Sequence, residues 1–321
     1  MIRRISYLCA WLMAFVVLSC QNSKEQNAAA NNTPLFIEMD GSSSMFPIAQ
    51  QIASKFNELH PEVRISLSLS GTSNGFMKFV QNKLEINNAS RPMNEDEKRQ
   101  CERNGVKFIE LKVAYDAIVV AVNPQNTWCD SLSTEQLRAI WSSPEIKNWN
   151  QIDSKWPDKP IHFFSPGRLS GTADLFHQIM GTDSDTIHEI TTSEDHNDIV
   201  INLSRDTFGL GYFSLPYLHS NWSFAKPLAI NDNDNSNGSG AILPTSEAIE
   251  LNKYNPFQRP LFLYVNENAL KNPTHLEFLK FFVDQAGVIG KENGYGPLSY
   301  LEKSEELRKL ATVESKAKAQ L

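Results

Sequence analysis

The chain is poor in cysteine, with four among 321 residues, which is too few to build a fold on disulfides. It has no run of Lys and Arg long enough to track a nucleic-acid backbone, and its formal net charge is −7. Nucleic-acid binding is thereby excluded as a function class. Beyond the first nineteen residues no apolar stretch is long enough to span a bilayer. The seven histidines, at positions 60, 162, 177, 188, 196, 219 and 275, are scattered without the spacing of a metal set or a catalytic triad. No Gly-x-Ser-x-Gly elbow frames a nucleophile, so a serine-dependent hydrolase is a reading without a motif. No internal repeat is visible.

What is present begins with an export signal. Arg3 and Arg4 are followed by the mostly apolar stretch Ile5 to Leu18, shorter than a comfortable membrane span. Val17-Leu18-Ser19-Cys20 then has the form of a lipobox. The expectation is a signal peptide over 1–19, a lipidated Cys20, and a flexible polar tether over 20–33. Cys9 leaves with the signal. Cys101 and Cys129 remain, and an extracytoplasmic compartment favours a disulfide between them over two buried free thiols.

Three distant segments place small hydroxyl residues where helices are expected to start. They are Asp40-Gly41-Ser42-Ser43-Ser44-Met45-Phe46-Pro47, Ser70-Gly71-Thr72-Ser73-Asn74-Gly75-Phe76 and Ser165-Pro166-Gly167-Arg168-Leu169-Ser170-Gly171-Thr172. The first turn of a helix carries backbone N–H groups without internal partners and the positive end of the macrodipole. Glycine admits a ligand close to the backbone, and Ser or Thr adds a donor. Singly, such a segment is an N-cap. Three together would make a cage for a compact oxyanion. With the chain as a whole negative, that anion must be held by local, desolvated hydrogen bonds.

Strand and helix patterns alternate along the rest. Strands are expected at 35–39, 63–69, 85–89, within 108–122, and at 160–164, 209–213 and 261–265. Helices are expected at 46–59, 75–81, 95–104, 134–141, 172–180, 197–204 and 275–284. Ala117 to Val122 is continuously apolar, as suits a strand covered on both faces. Asn231 to Gly240 is a low-complexity loop, and the charged tail after Leu301 is expected to form a surface helix.

These motifs, in order and spacing, resemble the phosphate-binding proteins of ABC-type phosphate uptake. The resemblance rests on Gly41 to Pro47, Ser70-Gly71-Thr72, Asn88-Ala89-Ser90-Arg91-Pro92 and Val113-Ala114-Tyr115-Asp116. Further on it rests on Ser170-Gly171-Thr172, Gly211-Tyr212-Phe213, Arg259 to Val265 and Asn293 to Leu298. It implies an α/β, two-lobed periplasmic-binding-protein fold of type II, each lobe a mostly parallel mixed sheet flanked by helices. Lobe 1 would comprise 34–115 and 261–321, and lobe 2 would comprise 116–260. Two crossover strands near Asp116–Val122 and Leu261–Val265 would form the hinge.

The resemblance implies inorganic phosphate as ligand, an ABC permease of the inner membrane as partner, and a lipid-anchored monomer on the periplasmic side. It implies no enzyme activity, no cofactor and no metal. The ligand set carried over is Ser44, the backbone of Met45, Thr72, Arg91, Ser170, Gly171 and Thr172, with Arg168 standing in for an Arg that relatives carry where Pro166 stands here. Substituting Arg91 with Ala is then expected to abolish tight binding. Some relatives carry an Asp at position 91 that accepts the proton of hydrogen phosphate. With Arg91 there instead, the acceptor falls to Asp40, Asp116, Glu194 or Asp195, and without one the site would suit sulfate or molybdate as well. Tyr115 and Asn197 could also reach such a cleft, with a structural role as the default for each. A lipoprotein with a sensing role on the same scaffold is the remaining alternative.

Overall fold

A computed structural model describes residues 35–182, 188–236 and 239–318. The expected signal peptide, Cys20 and the tether lie outside the described residues.

The first half of the sheet is built from β1 (Leu35–Gly41), β2 (Val63–Leu67) and β3 (Ile86–Ala89). Between them run helices α1 (Phe46–Leu59) and α2 (Thr72–Phe79), and α3 (Glu95–Arg103) follows. In α1 the buried residues Ile48, Ala49, Ile52, Ala53 and Phe56 form one stripe, and Pro47 sits in the first turn, where its missing N–H costs nothing. Asn94 and Glu97 close a capping box that starts α3.

The 15-residue strand β4 (Phe108–Val122) leads into the second half. There follow β5 (Ser131–Ser133), α4 (Thr134–Ser142), β6 (His162–Pro166), α5 (Gly171–Met180), β7 (Ile190–Ser193) and α6 (His196–Arg205). Next come β8 (Gly209–Ser214), α7 (Leu215–Ser220), β9 (Lys226–Pro227), β10 (Ala229–Asn231) and α8 (Ser246–Glu250). Strand β11 (Gln258–Asn266) returns to the first half, which ends in α9 (Pro273–Glu292) and α10 (Tyr300–Lys318).

The strand order is β2-β1-β3-β11-β4-β8-β6-β7, with β9 against the end of β4. β1 is parallel to β2 and β3, and β6 is parallel to β7 and β8. The antiparallel pair β4 and β11 joins these two parallel halves. The apolar core divides likewise. One cluster draws on residues between Ala117 and Phe257. The others draw on residues 37–114 and 261–310. The architecture is the α/β, two-lobed periplasmic-binding fold.

Several element ends differ from expectation. α2 starts three residues early, at Thr72, and α9 runs from Pro273 to Glu292. β6 runs through Ser165 and Pro166, so only Ser170 onward opens a helix in that segment. Leu310 of α10 is buried in the lobe core, and Lys280–Glu314 and Lys303–Asp284 ion pairs fasten that helix to α9.

The expected disulfide is corrected. Cys101 and Cys129 are both free and buried. Cys101 packs on α3 with Phe76 and Phe79, whereas Cys129 belongs to the other lobe's core. The lobe boundary keeps them apart. Burial pushes the Cys101 thiol up to about 11 and the Cys129 thiol up to about 12.

Candidate functional site

The three hydroxyl-bearing segments meet where the two lobes face each other. A 3-10 turn, Ser43–Met45, precedes α1, Thr72 opens α2, and Ser170 caps α5 by accepting from the Thr172 N–H. Ser44 Oγ and Thr172 Oγ1 lie 3.0 Å apart across the lobe boundary. Thr72 Oγ1 lies 3.2 Å from Ser90 Oγ and accepts from the Ser90 N–H. A Cβ at Gly171 would fall 2.6 Å from Ser90 Oγ and 2.7 Å from Thr72 Oγ1, so this approach of α5 to the first lobe needs glycine.

Arg259 forms the floor of this cage. The β4–β11 register sets it directly opposite Asp116. Both residues are buried, at 3% and 0% exposure. Nε and Nη2 of Arg259 donate to Asp116 Oδ2 at 3.1 and 2.8 Å, and Ser214 Oγ donates to the same oxygen at 2.8 Å. Nη2 also reaches Ser44 Oγ and Thr172 Oγ1, each at 2.7 Å. Among the described residues, Arg259 Nη1 and Asp116 Oδ1 have no partner.

The hydrogen-bond inventory is therefore lopsided. Arginine can only donate, and Nη2 has two hydrogens: one goes to Asp116, and the other is shared between Ser44 and Thr172, which both accept. Their own hydroxyl hydrogens are thrown back into the cage, and the bond between them uses one. Nη1 adds two more. Buried donors without acceptors cost free energy, and a compact oxyanion supplies the acceptors.

His196, the first residue of α6, borders this floor. Its Nδ1 accepts from the Ser214 N–H, which leaves the neutral ring's hydrogen on Nε2, a buried atom without a partner among the described residues. Burial, and then the Arg259 charge, depress its pKa to about 3. The Tyr217 hydroxyl donates to Ser43 O and the Tyr295 hydroxyl to Ser44 O, holding the first turn in place.

The expected site residues divide. Ser44, Thr72, Gly171 and Thr172 line the cage, with Ser170 as cap of the turn. The Met45 N–H closes the 3-10 turn onto Ser42 O, and its side chain lies in the core. Arg168 is exposed on the loop before α5. Arg91 stands at the cleft rim with all five N–H groups engaged. Nε donates to Asp174, Nη1 to Pro92 O and Glu97, and Nη2 to Ser73 and Glu97. Burial opposes its charge, but Glu97 and Asp174 outweigh that and hold its pKa above the ordinary arginine value.

Of the four candidate acceptors, Asp40 already receives the N–H groups of Gly41 and Ser70, the Ser70 hydroxyl and Lys78 Nζ. Asp195 is the exposed N-cap of α6. Glu194, raised in pKa by burial, lies under the Gly167 loop. Asp116 alone of the four is bonded to the arginine that holds Ser44 and Thr172. Tyr115 turns away to Glu302, and Asn197 is exposed.

Arg259 was missing from the expected ligand set. Its signal lay in the pattern: Asp116 immediately precedes the apolar run Ala117–Val122 and Arg259 stands just before the run Leu261–Val265, and charges set against such runs are buried only in pairs. Among the described residues no cluster of His, Cys, Asp or Glu could hold a metal ion, and no helix is long and apolar enough to cross a membrane.

Comparison with known proteins agrees with this architecture. A family model described as the PBP superfamily domain matches residues 22–286. Protein SphX of Synechocystis is 37% identical over 273 residues, covering 84% of this chain and 80% of that protein. The phosphate-binding protein PstS of Staphylococcus aureus is 37% identical over 272 residues, covering 84% and 81%. The crystal structure of a "possible phosphate binding protein" from Planctomyces limnophilus superposes with a TM-score of 0.64 at 32% identity, covering 87% of this chain and 98% of that one. On fold, site and similarity alike, the chain belongs to the PBP superfamily, in the company of the SphX and PstS proteins.

Proposed function

We propose that this chain captures inorganic phosphate between its lobes and delivers it to an ABC permease. The family is one of substrate-binding proteins, not of enzymes. The observation that carries the ligand is the buried cage of Ser44, Thr72, Thr172 and Arg259, with donors in surplus. Asp116 Oδ1 is the acceptor of this reading: an unpaired buried carboxylate oxygen complements a ligand O–H and repels a fully deprotonated anion. Hydrogen phosphate meets both demands, and sulfate fails the second.

The same proposal includes export, a lipid on Cys20 and monomeric action at the periplasmic side of the membrane. It takes the lobes as 34–115 with 261–321, and 116–260, with the hinge in β4 and β11. The double antiparallel connection and the division of the core support that boundary.

Calorimetric titration of ligand-stripped protein with phosphate, then sulfate, tests the reading. Tight phosphate binding without sulfate binding is expected. Ser44→Ala and Thr172→Val should each weaken phosphate about tenfold, as loss of a hydrogen bond to a charged group does. Equal binding of sulfate would remove Asp116 from its role, and absence of phosphate binding would remove the function.

A further inference from the structure

The rim of the cleft carries a second interlobe cluster. Arg91 Nε donates to Asp174 Oδ2 at 2.9 Å, the Ser73 hydroxyl donates to the same oxygen at 2.9 Å, and Arg91 Nη2 donates to Ser73 Oγ at 2.9 Å. Asp174 is on α5 of one lobe, while Ser73 and Arg91 belong to the other. The guanidinium is held from behind by both oxygens of Glu97, at 2.8 and 2.9 Å, and lies 5.0 Å from the centre of the Phe76 ring. Glu97 is itself fixed by the capping box of α3. An arginine clamped on one side by its own lobe presents its remaining donors in one fixed direction.

The positions along the chain matter as much as the distances. Thr72 lines the cage and Ser73 is its neighbour. Ser90 lines the cage and Arg91 is its neighbour. Thr172 lines the cage, and Asp174 is two residues on in the same helical turn. Every segment that supplies a hydroxyl from these elements also supplies one member of the rim cluster. The rim therefore cannot form unless the cage walls have come together.

We propose that the Arg91–Asp174 pair is a latch that sets how long the bound anion stays, and that Arg91 is not a ligand of that anion. The proposal rests on the anion-capture reading for its consequence, though the latch itself is a property of the closed lobes. Closing brings Asp174 to a preset Arg91 and Ser73, and the three-way contact must break before the walls part. Asp174 and Arg91 are positioning residues here. They act on the rate of opening, so their loss is read in dissociation rather than association.

The experiment compares Arg91→Gln, Asp174→Asn, Ser73→Ala and the double variant Arg91→Gln/Asp174→Asn. Inorganic phosphate is the probe, with release followed by stopped-flow chase, and small-angle scattering is recorded on ligand-free and phosphate-loaded protein. Either charge variant is expected to release phosphate about tenfold faster with association changed less than about twofold. Ser73→Ala should give a smaller effect in the same direction. The double variant should be no faster than the worse single one, because both remove the same contact. Loss of binding in Arg91→Gln with Asp174→Asn unaffected would overturn the latch and make Arg91 a ligand. Unchanged release in all variants would overturn it as well. Scattering separates this failure from failure of the capture reading: were phosphate not to bind at all, a larger radius for the ligand-free charge variants than for the wild type would still support the latch. Equal radii in that case would refute it.

Discussion

Arg259 and Arg91 both stand where the lobes meet, and they differ in almost every other respect. Arg259 is fixed by strand register opposite a single buried Asp, and keeps a guanidinium nitrogen without a partner among the described residues. Arg91 is half-buried on a rim, held by two carboxylates, a carbonyl and a hydroxyl, with no donor to spare. A buried charge with an open donor is costly and persists where a ligand completes it. A saturated charge at a rim is complete as it stands and acts through the groups it holds. On the proposed reading, identical side chains serve binding in one place and geometry in the other, and what separates them is the count of acceptors around each.

The comparison can be broken most violently at the floor. Arg259→Met should eliminate phosphate binding in calorimetry. It should also lower the unfolding free energy by about 3–5 kcal/mol, since Asp116 is left as an unpaired buried charge. Adding Asp116→Asn should restore most of the stability and none of the binding. If the single variant still binds anion tightly, the floor has been assigned to the wrong arginine.

The next effect concerns the approach of the walls. Gly171→Ala puts a methyl group within 2.6 Å of Ser90 Oγ and 2.7 Å of Thr72 Oγ1. It should hold the lobes apart, weakening phosphate at least tenfold and enlarging the scattering radius. Chemical denaturation should register a change below about 0.5 kcal/mol, as alanine suits a helix first turn.

The last effect vanishes at neutral pH and appears as a slope below it. The His196 pKa is depressed to about 3, so the unfolded chain binds a proton below about 6.5 that the folded chain refuses. Stability should therefore be full above pH 6.5 and fall as the pH drops toward 3, by at most about 1.4 kcal/mol per unit from this residue. Denaturation across that range should show His196→Asn flattening the curve relative to the parent. An unaltered slope would mean that His196 is not held neutral.

Much of this molecule was legible before folding. The stripe in α1 and the apolar run in β4 specify their elements outright, because burial of one face or of both leaves a periodic trace. The hydroxyl turns announced the cage walls, since small residues at a helix start serve either a cap or a ligand. The floor was obscure because pairing of Asp116 with Arg259 depends on strands 143 residues apart in sequence. Nothing local states a register. Arg91 is obscure for the opposite reason: the motif around it is clear, while its partners Glu97 and Asp174 decide what its donors are free to do. The disulfide failed on distance in space, which composition and compartment do not encode.

Those two separate thiols have a practical consequence. Each is sealed in its own lobe, and burial raises both well above neutrality, so neither offers thiolate to a maleimide in the folded protein. A cysteine introduced at Leu169, which is 38% exposed and whose carbonyl accepts from the Ser73 N–H across the boundary, would be the reactive one among the described residues. A fluorophore attached there would sit on the seam between the lobes and report opening as a change in emission, with the native thiols left in place.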